Sequence, residues 1–241
     1  MSSPPGGCHL VGSVLFSDAE TVFRECTARL PNRLKRIPDG ETGNRSYFTA
    51  WQFSAFSSLP QCIAPFAMNQ AAEAIDIDPS EVETNIAKIH DLPIETGYDN
   101  AAIESYATFK RLKDEGVIPK NTRFQVCLPT GANVVICLHH QYREAGFKVW
   151  EAALFRAMRR LQDAIPAGEL SIQIDLAIDT ALWEESYEKS WFGDDVDPKE
   201  GTLQYILRMV EQVDDGVELG LHNCYGGFRS VVYRFCCRLL T

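Results

Sequence analysis

Features that direct a chain into or across a membrane are missing from these 241 residues. No run approaches the roughly 18 apolar residues of a membrane helix. Residues 1–7 are rich in Ser, Pro and Gly and lack the basic and apolar regions of a secretory signal. None of the eight cysteines forms a C-x-x-C motif, which favours buried free thiols in a reducing compartment. We therefore expect a cytoplasmic protein without membrane contact, whose residues 1–7 are disordered.

Positive charge is also scarce. The chain has 23 Lys and Arg against 33 Asp and Glu, a formal net charge of −10, and most of its length has no basic cluster. Nucleic acids and anionic membranes attract basic surfaces. We therefore expect neither of these partners, and we interpret the acidic charge as a contribution to solubility.

The familiar motifs for nucleotide binding and serine hydrolysis are absent as well. The chain has neither G-x-G-x-x-G nor a P-loop, which cradle phosphates, and no G-x-S-x-G nucleophile turn. The acidic stretch at 184–197 has no regular ligand spacing, so we interpret it as a solvated loop. Any chemistry must lie in less regular positions.

What the sequence does contain is an alternation of short apolar strands and amphipathic helices. We predict strands at 8–14, 34–38, 123–128, 170–175 and 218–222, and helices at 17–30, 80–90, 99–115, 147–165 and 200–214. This alternation is typical of a parallel sheet covered by helices, either doubly wound or closed as a barrel. We expect one domain at 8–226 and an atypical basic and apolar tail at 227–241.

Polar residues stand where the predicted strands end. They are Ser13 near the end of the first strand, Asp39 and Glu41 after the second, Asp175 at the end of LSIQID, and His222 at the end of the last strand. Active sites collect at the carboxyl ends of parallel strands. These residues are therefore candidates for one pocket, although each alone also fits a turn or a cap.

The last strand end carries a possible metal motif. In an extended strand, residues two apart point to the same side, so His222 and Cys224 can face one ion. Neutral imidazole and thiolate are both good ligands for zinc. The His-x-Cys spacing alone is weak evidence, since many such side chains are only packed.

These pieces together resemble a known superfamily. HLVGS at 9–13, IQID at 172–175 and HNCY at 222–225 are similar to strands of the cobalamin-independent methionine synthases (their C-terminal barrel) and the uroporphyrinogen decarboxylase-like proteins. RIPDGETGNR at 36–45 resembles a signature of uncharacterised members. The resemblance implies a (β/α)8 TIM-barrel type of fold. About six of the eight βα units are recognisable, so the chain is short for that fold.

The resemblance also implies an activity. It suggests transfer of a methyl group from a methylfolate to a thiol such as homocysteine. His222 and Cys224 would bind zinc, while Ser13, Glu41 and Asp175 would hold the amino-acid substrate. In the family a Glu and a Cys further along complete the zinc site, whereas the 17 residues after Cys224 contain no acidic residue.

Two other interpretations remain open. The chain could be a metal-free, decarboxylase-like enzyme acting on a small carboxylated metabolite, with Arg45 as a carboxylate clamp beside Asp39. It could instead be a non-catalytic, shortened relative that pairs with another chain, for example as a homo-oligomer, through an open sheet edge.

Overall fold

A computed structural model describes residues 6–64, 77–184, 192 and 196–224. The predicted tail at 227–241, residues 1–5 of the predicted disordered terminus and most of the acidic loop lie outside these residues. The described chain is a mixed α/β structure whose sheet has four strands, all parallel, in the sequential order β1-β2-β3-β4.

The elements follow one another as strands separated by helices. The strands are β1 Arg36–Pro38, β2 Arg123–Pro129, β3 Leu170–Leu176 and β4 Glu218–Asn223. The helices are α1 Ala19–Arg29, α2 Pro79–His90, α3 Tyr98–Asp114, α4 Ala132–Val135, α5 His140–Ala164, α6 Ile178–Trp183 and α7 Pro198–Val210. Short 3₁₀ segments lie at Gly43–Phe56, Pro60–Cys62 and Ala167–Glu169. The α/β class is confirmed.

The first predicted strand is the main departure from expectation. Only Cys8 pairs in parallel with Leu34, at a single bridge beside β1. Beyond it the chain crosses the sheet: His9 Nε2 lies 2.8 Å from Gln173 Oε1, and Gln173 Nε2 donates to the Val11 carbonyl at 2.8 Å. Residues 9–13 therefore lie over one face of the sheet. Side chains of β2 and β3 hold them there through hydrogen bonds.

Two helix starts also differ from prediction. Asp18 caps α1 by accepting from the Thr21 amide at 2.8 Å, whereas the pattern pointed to residue 17. Helix α5 begins at His140, seven residues earlier than predicted. Gly146 lies inside α5, where a Cβ would come 2.4 Å from Leu138 Cδ1. The glycine permits close packing and does not end the helix.

The two faces of the sheet differ in chemistry. Along β2 and β3, Phe124, Ile172 and Ile174 alternate with polar side chains and are fully or almost fully buried. The Phe124 ring lies 6.1 Å from that of Phe23 in α1 and 5.5 Å from that of Phe109 in α3. The helices thus cover an apolar face whose burial drives folding. The opposite face is polar.

That polar face is buried as well. Alternate residues of β2 and β3 point to this face, and five of these side chains are at most 7% exposed: Gln125, Cys127, Ser171, Gln173 and Asp175.

All six cysteines in the described residues are free thiols. Among the described helices, none has both the length and the apolar character needed to cross a membrane.

Candidate functional site

The carboxyl end of the polar face brings together residues from four separate segments. Ser13 Oγ donates to Glu41 Oε2 in a short hydrogen bond. Asp175 Oδ1 lies 2.9 Å from His222 Nδ1, and the two residues are register partners on β3 and β4. The Glu41 and Asp175 carboxyls lie within 4.8 Å of each other. Four of the sequence-predicted site residues therefore form one continuous cluster.

Glu41 reaches this cluster from a tight turn that follows β1. Gly40 has a φ of 82° and Glu41 itself a φ of 49°, both in the left-handed region. The Glu41 amide donates to Asp39 Oδ1 at 3.0 Å, which closes the turn. A left-handed conformation is uncommon for Glu and is typical of functional positions held by their surroundings.

Asp39 holds that turn in place and pairs with the predicted clamp residue. Arg45 Nη2 lies 2.5 Å from Asp39 Oδ2, and Arg45 Nη1 lies 3.3 Å from Asp39 Oδ1. Ser105 of α3 donates to Asp39 Oδ2 at 2.8 Å. Asp39 is thus saturated by structural contacts, and two guanidinium nitrogens of Arg45 are already engaged.

The sequence reasoning missed Cys127. Its Sγ lies within 4.8 Å of ligand oxygens of both Glu41 and Asp175. Gln125 Nε2 lies 3.3 Å from this sulfur. The signal that could have revealed it is the alternation of polar residues inside two apolar strands, Q-x-C in β2 and S-x-Q-x-D in β3.

A small pocket opens beside these groups. Its cavity volume is about 10 Å³, room for about one water molecule, and its walls include Glu41, Arg45, Tyr98, Gln125 and Cys127. Tyr98 was also missed by the sequence reasoning. It lies at the first residue of α3 and gives the pocket an aromatic wall, with only 5% of its surface exposed.

Burial sets the protonation of the cluster. It raises the pKa of Glu41 to about 7, reinforced by the charges of Asp175 and Asp39 and opposed by the Ser13 hydrogen bond. Burial also raises the pKa of Asp175 to about 7, against the hydrogen bond from Gln173. The pKa of the Cys127 thiol lies well above its usual value because of burial and then the charge of Asp175. The cluster of Glu41 and Asp175 thus favours the neutral form of both acids.

The predicted zinc ligands lie partly within this geometry. His222 and Cys224 are half-buried on either side of exposed Asn223, and the Cys224 amide donates to the Leu176 carbonyl at 2.7 Å, which continues the pairing of β4. Within the part of the chain that the structure describes, the trio of potential metal ligands is Glu41, Cys127 and Asp175, and His222 and Cys224 belong to no such trio.

Comparisons with known proteins add no assignment. No protein-family model, no curated protein and no solved structure matches the chain.

Proposed function

We propose that the chain is a barrel-type enzyme that transfers a methyl group to the sulfur of a small amino-acid thiol such as homocysteine. The observation that carries the proposal is the contact series from Ser13 through Glu41 and Asp175 to His222. It joins residues from separate strand ends into one buried, acidic cluster, and Glu41 of this cluster also lines the pocket. Such a cluster suits a ligand with an ammonium group and a nearby sulfur.

Several features of the sheet support the barrel in this proposal. Four parallel strands in sequential order are what a (β/α)8 fold would contain. The parallel bridge between Cys8 and Leu34 continues the order at one edge. Arg36 of β1 also forms an ion pair with Glu218 of β4, three strand positions away, which favours a curled sheet.

Glu41 and Asp175 would bind the substrate through its ammonium group. An ammonium ion between the two carboxyls offsets the burial that raises the pKa of each, so both can ionise on binding. Ser13 fixes one oxygen of Glu41, and Gln173 Nε2 fixes one oxygen of Asp175 at 2.7 Å. The acids are therefore oriented before the ligand arrives, which reduces the entropic cost of binding.

His222 and Cys224 would hold zinc in this proposal. His222 Nδ1 faces Asp175, which leaves Nε2 for the ion, in the carboxylate–histidine arrangement common to zinc sites. Cys224 supplies a sulfur on the same side of the strand. These donors fit two of the four positions of a zinc site. Zinc bound there would favour the thiolate form of a substrate sulfur, and a methylfolate would be the methyl donor.

Ligand binding tests this function directly. Calorimetry should show homocysteine binding at least about 10-fold tighter than 4-mercaptobutyrate, which lacks the ammonium group, since a buried charged hydrogen bond contributes on the order of 1.5–3 kcal/mol. Glu41→Gln and Asp175→Asn should abolish that preference. Glu83→Gln, an exposed acid on α2, is the matched control. Equal binding of the two thiols by the wild-type protein would contradict the proposal.

The decarboxylase-like alternative rests on Arg45, which lines the pocket. There Arg45 would clamp a substrate carboxylate with the part of its guanidinium that Asp39 leaves free. Arg45→Met would then weaken binding of a dicarboxylic acid and leave binding of a simple amine unchanged.

A further inference from the structure

Cys127 lies at the centre of the acidic cluster, yet the proposed methyl transfer gives it no role. It occupies the polar face of β2 two residues before the strand ends, and only 7% of its surface is exposed. Its sulfur and one oxygen each of Glu41 and Asp175 lie within 4.8 Å of one another. The thiol donates to the Val11 carbonyl at 3.6 Å and accepts from the side-chain amides of Gln125 and Gln173, so it is held in a fixed position between the two carboxyls.

Each carboxyl keeps one oxygen available for a ligand. Ser13 engages Oε2 of Glu41, and Gln173 and His222 both engage Oδ1 of Asp175. Within the described chain no hydrogen bond occupies Oε1 of Glu41 or Oδ2 of Asp175. Hydrogen bonds that orient ligating groups from outside are characteristic of metal sites.

An independent observation comes from Gln125. This side chain is 1% exposed, and its Oε1 has no hydrogen-bond partner within the described chain. Its Nε2 lies 3.3 Å from Cys127 Sγ, so the carboxamide is beside the cluster and lines the same pocket. Buried carbonyl oxygens are nearly always satisfied, so the unpaired oxygen of this pocket-lining side chain indicates a partner that the described chain does not supply, for which a cation is suited.

We infer that Glu41, Cys127 and Asp175 form a binding site for a thiophilic divalent cation of the Zn²⁺ type. Three protein ligands with an open fourth position are the usual set of a catalytic or exchangeable zinc site. The thiolate selects against Mg²⁺ and Ca²⁺, which prefer oxygen ligands throughout. Binding breaks the S–H bond of Cys127, forms a metal–sulfur bond and releases the proton to solvent.

This site also gives the proposed function a means of regulation, and that part rests on the proposed function. The cation and the substrate's ammonium group would need the same two carboxylates. Their binding is therefore mutually exclusive, and excess Zn²⁺ would act as a competitive inhibitor of amine binding without displacing the ion on His222 and Cys224.

Cobalt substitution tests the site. Co²⁺ added to protein freed of metal by a chelator should give a near-ultraviolet sulfur-to-metal charge-transfer band in a Cys224→Ser background, where the His222–Cys224 pair lacks its sulfur. Cys127→Ser in that background should remove the band and weaken Zn²⁺ binding by at least about 100-fold, the upper range for loss of an outer-shell partner. Cys26→Ala is the matched control, since Cys26 is also 7% exposed but lies on α1.

The outcomes separate the two proposals. A band that persists in the Cys224→Ser, Cys127→Ser protein, or that is absent from the Cys224→Ser protein, overturns the cation site. A band that depends on Cys127, with homocysteine binding unaffected by Zn²⁺, keeps the site and overturns the competition. If Cys127→Ser fails to fold, Glu41→Gln in the Cys224→Ser background serves instead and should weaken Zn²⁺ binding to a similar degree.

Discussion

Glu41 combines several energetically unfavourable properties in one residue. It is a charged residue with a left-handed φ of 49°, only 9% exposed, and it lies beside a second buried acid. Each of these properties costs stability, and nothing in the apolar core requires them. Strain and buried charge held in place by surrounding structure are typical of functional sites.

The raised pKa of Glu41 predicts a stability that falls as pH rises. Below its ordinary pKa of 4.5 the carboxyl is protonated in both folded and unfolded chains. Between 4.5 and about 7 the unfolded chain loses its proton first, so the free energy of unfolding decreases, and above about 7 the full loss applies. The shift corresponds to on the order of 3 kcal/mol.

Urea unfolding of the chelator-treated protein at pH 5 and pH 8 measures this effect. Glu41→Gln mimics the protonated acid, so the decrease in unfolding free energy between the two pH values should be smaller by roughly 2 kcal/mol than in the wild type. Glu83→Gln should leave the decrease unchanged. An identical decrease in Glu41→Gln and wild type would mean that Glu41 is not the group responsible.

At the scale of single residues, the sequence pattern identified site residues at the ends of strands and missed the site residue inside a strand. Ser13, Glu41, Asp175 and His222 could be predicted because a charged or polar group follows an apolar run. Cys127 could not, because a cysteine inside an apolar strand has the same pattern as a packed core thiol. Only the pairing of β2 with β3 shows that its side chain lies on the polar face.

At the scale of elements, the turn after β1 determines where Glu41 lies. Gly40 has a φ of 82°, and a Cβ at this position would come 2.6 Å from Val22 Cγ2 of α1. The turn can therefore approach the helix only because residue 40 has no side chain. This contact ties the position of the acid to the packing of α1 on the sheet.

Gly40→Ala should destabilise the protein through both strain and overlap. A left-handed Ala costs about 1–2 kcal/mol, and the clash with Val22 adds about 1–3 kcal/mol. Gly116→Ala is the matched control, with a φ of 78° and no heavy atom within 4 Å of the added Cβ. Chemical unfolding should show the larger loss for Gly40→Ala. Equal losses would mean that the turn yields without disturbing α1.

The sequence placed most elements but misjudged two kinds of boundary. The predicted helix at 147–165 left out the first seven residues of α5, since the packing of Gly146 against Leu138 is a tertiary contact that no local pattern reveals. The first predicted strand is apolar enough to pair, yet residues 9–13 leave the sheet after Cys8. Gln125 Nε2 donates to the Leu10 carbonyl at 2.9 Å, so polar side chains take the place of a strand partner.

At the scale of the whole molecule, the two faces of the edge strand β4 have different surroundings. One edge ends at β4, where Leu219 and Leu221 are 36% and 55% exposed on the face that carries Ile172 and Ile174 in β3. Pairing of this edge with another chain remains a prediction. The opposite face of β4 turns Glu218 towards the concave side, where it meets Arg36 of β1.

The Arg36–Glu218 ion pair reports on that curvature. Strands β1 and β4 lie three strand spacings apart, about 14 Å along a flat sheet, so a direct contact favours a sheet that curls towards its polar face. The two side chains are 23% and 33% exposed, whereas those of the Arg29–Glu25 pair on α1 are 71% and 41% exposed. Partial burial should make the first pair stronger, since solvent screens it less.

A double-mutant cycle with Arg36→Gln and Glu218→Gln should therefore give a coupling free energy on the order of 1 kcal/mol. The same cycle at Arg29 and Glu25 should give about 0.3–0.5 kcal/mol, the usual value for an exposed helical pair. Both cycles are measured by urea unfolding at pH 7, with salt raised in a second series to confirm the electrostatic origin. A coupling at Arg36 and Glu218 no larger than at the helical pair would imply that β1 and β4 do not approach each other in solution. The sheet would then be open, and the barrel-type enzyme would lose its main support.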